Sequence, residues 1–112
     1  MAFVLDNSVA VAWVPALWQL EIANVVRTAC LRHNLALEQA RNIFNALNKL
    51  PIRIDKSEGA PARQLFELAM RYQISSYDAA YLELAMRLGL DLATQDQALK
   101  DAALAAQVSL AS

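Results

Sequence analysis

The sequence predicts an α/β fold, a short parallel sheet with helices on both faces, forming a single domain over residues 1–112. Three observations carry that reading. Short apolar runs of strand character at Phe3–Leu5, Ile52–Asp55 and Leu90–Thr94 are separated by longer stretches of helical periodicity. Only two Gly and three Pro occur in 112 residues, and much of the 57% hydrophobic share is alanine, which favours helix over loop. Strands that alternate with helices pack most simply as parallel neighbours joined by right-handed crossovers.

The elements follow in order. Phe3-Val4-Leu5 is too short and too apolar for a helix of its own and reads as a buried strand ending at Asp6. Ser8 is placed to cap a short helical piece, Val9–Trp13, which Val14-Pro15 interrupts. Pro15 suits the first turn of a helix running to about Asn34. That helix carries apolar residues on nearly every side, so it is buried or lies in an interface. Leu37–Leu50 is a cleaner amphipathic helix, with Leu37, Ala40, Phe44 and Leu47 inward, and Pro51 stops it. Ile52–Asp55 alternates as a strand nearer the sheet edge, and Lys56–Gly59 is loop. Pro61 opens a helix to Tyr72, and Ser75-Ser76 caps Tyr77–Leu88, which Gly89 ends. Leu90–Thr94 is a third strand, Gln97–Ala106 a last helix and Val108–Leu110 a short final strand.

Composition excludes several functions. A net charge of −1 gives no general attraction to nucleic acid or anionic lipid, so any such contact is local. No run reaches the ~20 apolar residues of a membrane span, and Asp6 precedes every Lys and Arg, unlike a secretory leader; the expected location is cytoplasmic. The one cysteine, Cys30, forms no internal disulfide, and with His33 it supplies too few ligands for zinc. Two glycines cannot build a phosphate-cradling loop. Trp13, Trp18, Phe44 and Phe66 are assigned to the core or an interface rather than to base stacking.

Four acids stand out by position. Asp6 ends the first strand and Asp96 follows the third. If those strands are neighbours and the second lies beyond the first, both acids open into the crevice at the carboxyl ends of the strands. Asp78 shares a helix row with Tyr81, Leu82, Ala85 and Leu88, inward of Glu83 and Arg87; Glu21 shares one with Leu17, Trp18, Val25 and Ala29. Each has an ordinary account: Asp78 answers the helix dipole, Asp96 caps a helix, and Glu21 reaches the helix edge or Asn24. Together, clustered carboxylates repel unless a cation joins them. Oxygen ligands without Cys or His pairs select Mg²⁺ or Mn²⁺, and such a metal orients and acidifies water for attack on phosphorus.

The segments Phe3-Val4-Leu5-Asp6-Asn7-Ser8, Pro15–Asn24, Ser76–Ala85 and Leu92–Asp96, in that order, resemble the PIN-domain ribonucleases, specifically VapC-type toxins of bacterial toxin-antitoxin pairs. The resemblance implies an α/β/α sandwich, a Mg²⁺- or Mn²⁺-dependent endoribonuclease acting on RNA, a homodimer and a cognate antitoxin. It maps the metal-holding acids onto Asp6, Glu21, Asp78 and Asp96, with Asn7 and Thr94 in support and Asp6 central. One departure is plain. The family carries a longer acidic, helical segment before the glutamate helix, whereas here Ala12-Trp13 meets Val14-Pro15 directly. A break between Trp13 and Val14, seen as a Cα separation well beyond ~3.8 Å, is therefore expected. If the chain is continuous there, the reach of Glu21 to Asp6 is in question. The rival functional reading is a non-catalytic PIN-like module binding a protein or RNA. A phosphoaspartyl phosphatase or receiver fits poorly, because Ser8 stands where its second acid belongs.

Overall fold

The computed structural model describes residues 2–57 and 59–111. Four strands and five helices run in the order β1 (Ala2–Asp6), β2 (Val11–Val14), α1 (Leu17–Arg32), α2 (Leu37–Leu47), β3 (Ile52–Ile54), α3 (Ala62–Tyr72), α4 (Ser76–Leu88), β4 (Asp91–Thr94) and α5 (Gln97–Ala105). The mixed α/β class is as expected. The loop expected over 56–59 includes Glu58, which lies outside the described residues.

The sheet order is β3-β2-β1-β4, with β1 antiparallel to both neighbours and β2 parallel to β3. Hence β2, β3 and β4 run one way and β1 runs against them. This corrects the all-parallel expectation, and the cause is chain length. A parallel connection needs a crossover of a dozen or more residues, whereas only Asn7–Ala10 join β1 to β2, enough for a hairpin and nothing more. Ala10 takes a left-handed φ of 53° in that turn.

The expected helical piece Val9–Trp13 is accordingly replaced by β2, whose β-branched residues suit the pleat. Ser8 caps no helix; its hydroxyl donates to Asp6 Oδ1 at 2.6 Å and its amide to the same oxygen at 3.2 Å. Trp13 and Val14 are consecutive strand residues paired with Arg53 and Ile54, so the expected break between them does not occur.

Val4 pairs with Trp13, so Val14 projects from the opposite face of the sheet, yet Val4 and Val14 are both fully buried. Both faces are therefore covered at the centre. α4 covers one of those faces, burying Ala79, Tyr81, Leu82, Glu83, Leu84 and Ala85 and packing on β1, β4, α3 and α5. Each fully buried leucine here, such as Leu82 or Leu92, contributes about 1.5–3 kcal/mol of transfer free energy. Ser75 caps α4 by accepting the Asp78 amide at 3.0 Å, and Gly89 ends it at a φ of +66°. The short final strand is reduced to a parallel bridge from Leu110 to Leu92.

Other helices depart in detail. α2 ends at Leu47, and Leu37, expected inward, is 65% exposed while Ala40 is buried. α1 buries Trp18 and Val26 but leaves Leu20, Val25 and Leu31 exposed, so this chain alone does not cover it. Phe66, assigned to the core or an interface, is also exposed. Among the described residues no helix is long and apolar enough to cross a membrane.

Candidate active site

The reversal of β1 decides where the acids fall. Ala2 pairs with Thr94 and Leu5 with Asp91, so Asp6 lies at the end of the sheet where β4 begins. Asp96, two residues past Thr94, lies at the other. Four residue steps of β1 separate the two ends, roughly 13 Å at the usual strand rise. β1 and β4 are neighbours and β3 lies beyond β2, as the crevice required. The strand direction nonetheless removes Asp6 from that crevice. Asp6 instead closes the hairpin turn with Ser8, and Asn7 reaches Asp91 through Nδ2 at 3.4 Å. Neither Asp6 nor Asn7 joins the remaining acids.

Those remaining acids do interact. β2 delivers the chain into α1 at the same sheet end as Asp96, which brings Glu21 against α4. There the Tyr81 hydroxyl donates to Glu21 Oε1 at 2.5 Å. Tyr81 is buried, and Asp78 lies one turn before it on the same helix face. Burial, followed by the negative charge of Asp96 and then of Glu21, pushes the Asp78 carboxyl above its ordinary value. Burial and the bond to Glu21 likewise hold the Tyr81 hydroxyl protonated far above its ordinary value, consistent with its donating to Glu21. Asp96 caps α5 by accepting the Leu99 amide at 3.1 Å, and its own amide donates to Thr94 Oγ1 at 3.1 Å. The ordinary reading of Asp96 as a cap is thus correct without excluding a second role for its exposed carboxylate.

The ion pairs found among the described residues lie elsewhere, on Arg87. Its guanidinium meets Asp55 Oδ2 and Glu83 Oε1, each at 2.7 Å, beside a cleft of about 180 Å³ also walled by Pro15, Leu17 and Ala80. Glu83 was expected to face outward and is instead 7% exposed, because α3 and the segment leading into it cover that side of α4. Periodicity alone missed this triad, although the spacing of Glu83 and Arg87, one helical turn apart, was a readable signal.

Among the described residues no Lys, Arg or His forms an ion pair with Glu21, Asp78 or Asp96, whose carboxylate oxygens are the donor type a hard divalent ion takes. Among the described residues no group of three or more His, Cys, Asp or Glu side chains forms a cage for a metal ion. Mg²⁺ does not need one, since it is commonly held by one or two carboxylates together with waters and substrate phosphate.

The family model for the PIN domain matches residues 2–104. The chain belongs to the PIN domain family. PIN domains are α/β/α folds, generally nucleases and typically dependent on divalent metals. A comparison with curated proteins gives no match. In this chain the hairpin between β1 and β2 sets Asp6 at the opposite end of the sheet from Asp96.

Proposed function

We propose that this PIN domain is a Mg²⁺- or Mn²⁺-dependent endoribonuclease, the VapC-type toxin of a toxin-antitoxin pair, working through Asp78 and Asp96 with Glu21 beside them. The observation that carries the reading is the Asp78 carboxyl, pushed up by burial and by the charges of Asp96 and Glu21, while among the described residues no Lys, Arg or His forms an ion pair with any of the three. A cation would relieve that repulsion. When bound, it supplies an acidified water and stabilises the oxygen leaving phosphorus. The chain's own contribution is positional. Asp78 and Asp96 hold the ion, Tyr81 holds Glu21, and Thr94 fixes the corner from β4 into α5.

The toxin assignment rests on the likeness of the four segments to VapC-type proteins. Exposed Leu20, Val25 and Leu31 on α1, with Phe66 and Met70 on α3, supply apolar surface for a homodimer and a cognate antitoxin. A cytoplasmic location goes with that role.

The test is cleavage of total RNA by protein purified free of antitoxin. EDTA should stop it, Mg²⁺ or Mn²⁺ should restore it, and Asp78→Asn should be inactive while melting, in EDTA, no lower than the wild type. Cleavage that survives EDTA or Asp78→Asn overturns the proposal. The second reading, a PIN domain that binds RNA or a protein without cutting, is favoured by one observation, the separation of Asp6 from the other acids. It predicts a gel shift with intact RNA at every metal concentration.

A further inference from the structure

We infer that the outer edge of β3 is a contact between two copies of this chain, pairing antiparallel about a two-fold axis at Ile54. The inference goes beyond the proposed nuclease reading and uses neither its acids nor the apolar surface of α1 and α3. β3 ends the sheet on one side, whereas on the other side Leu92 of β4 is met by Ser109, Leu110 and Ala111. Toward β2, the Pro51 carbonyl accepts the Ala12 amide at 3.0 Å and the Asp55 amide donates to the Val14 carbonyl at 2.8 Å. Backbone direction alternates along a paired strand, so the amide and carbonyl of Ile54 point away from β2. A groove of about 630 Å³ runs along that edge, walled by Trp13 and residues 52–56, with Ile52 and Ile54 half-buried. An edge left open in this way is a template for another strand.

Charge fixes both the partner and the register. Cross-strand neighbours share a face of the sheet, and like charges directly opposite one another repel. Pairing two copies about Arg53 sets that cation against itself, and pairing about Asp55 sets that acid against itself. Pairing about Ile54 instead lays Arg53 opposite Asp55 of the partner subunit, twice, and lets the two outward-facing Ile54 backbones exchange both bonds. Ile52-Arg53-Ile54-Asp55 is therefore complementary to a second copy of itself. Arg53 is exposed, lies 5.8 Å from the centroid of the Trp13 ring and has no ion pair among the described residues. Asp55 gives Oδ2 to Arg87 and the Ser57 hydroxyl, while among the described residues Oδ1 accepts only the Ser57 amide, at 3.3 Å.

A strand this short buries less than the ~1,200 Å² of a standard stable complex, so the dimer is expected to be weak and concentration-dependent. The experiment is sedimentation equilibrium of the full chain in EDTA, which needs neither metal nor RNA, at concentrations up to about 1 mM. Arg53→Glu turns two opposite-charge pairs into like-charge pairs and should weaken the dimer about 10- to 100-fold with the circular dichroism spectrum unchanged. In a Cys30→Ser background, Ile54→Cys should give a disulfide-linked dimer on mild oxidation, because facing residues of a bonded pair lie ~5.5 Å apart at Cα. Ile52→Cys should not, since its counterpart lies four residues along the partner strand, roughly 13 Å away. Should Ile54→Cys fail to fold, Arg53→Glu, an exposed change, carries the test. A chain that stays monomeric to about 1 mM overturns the inference. So does a dimer unmoved by Arg53→Glu, or equal cross-linking from positions 52 and 54, either of which would put the dimer contact on another surface.

Discussion

Replacing Asp6 by Asn separates what the family pattern implies from what this sheet allows. Asp6 lies at the opposite end of β1 from the strand position that pairs with Thr94, roughly 13 Å away along the strand. A unit charge at that distance in water acts with about 0.3 kcal/mol, further reduced by a screening length of ~8 Å at physiological salt. Removing it should change the cleavage rate less than about twofold. The Ser8 bonds to Oδ1 can persist on an asparagine oxygen, so the hairpin should hold. Asp78→Asn removes a carboxylate within contact distance of the proposed ion, where ~4 Å and an effective dielectric of about 20–40 give roughly 2–4 kcal/mol. Its expected loss is about 30- to 1,000-fold. Initial rates on one defined RNA at saturating Mg²⁺, with melting curves for both variants, compare them directly. A folded Asp6→Asn protein with no activity would refute the reasoning, because it would require Asp6 and Asp78 at the same end of the sheet.

Two further changes test stability. Arg87→Met strands Glu83 and Asp55, whose side chains are 10% and 14% exposed, without their cation. Loss of one partner of a buried pair costs about 3–5 kcal/mol, and the 37% exposure of Arg87 lowers the expectation to roughly 2–3 kcal/mol, read by urea unfolding at pH 7. Burial alone would raise the Asp55 carboxyl, but the Arg87 and Ser57 bonds outweigh it and hold its folded pKa below 3.8. Its contribution is therefore complete above the unfolded value and is lost as pH falls through the lower folded one. Wild-type stability should decline below about pH 4, and Arg87→Met should show a shallower decline there. Asp78→Asn, by relieving repulsion from Asp96 and Glu21, should raise the melting temperature by about 2–4 °C in EDTA, equivalent to roughly 0.5 kcal/mol. Saturating Mn²⁺ should remove or reverse that gain, because only the wild type is stabilised by the ion. A gain that is independent of Mn²⁺ would count against a cation at Asp78.

Much of the chain was legible because its signals are local. Ser75 with Gly89 brackets α4, Asp96 caps α5, and left-handed Asn34 follows α1 in a backbone conformation that asparagine tolerates. Val9–Trp13 was misread because its apolar residues fit either a short helix or a strand, and periodicity over so few residues cannot choose. Glu83 was misread because an outward helix row faces solvent only if no other element covers it. The convergence of Glu21 and Asp78 was readable from their core-facing rows, whereas the bond between Tyr81 and Glu21 joins residues 60 positions apart and leaves no trace in spacing.

By itself the sequence determined the α/β class, the presence of the five main helices and the acids worth testing, since caps, turns and periodicity act within a few residues. Only the tertiary structure decided which acids meet. The short Asn7–Ala10 connection permits a hairpin and forbids a parallel crossover, so β1 runs backward and carries Asp6 to the far end of the sheet. Strand direction is a property of pairing between distant segments, and it set Asp6 at the opposite end of the sheet from Asp96.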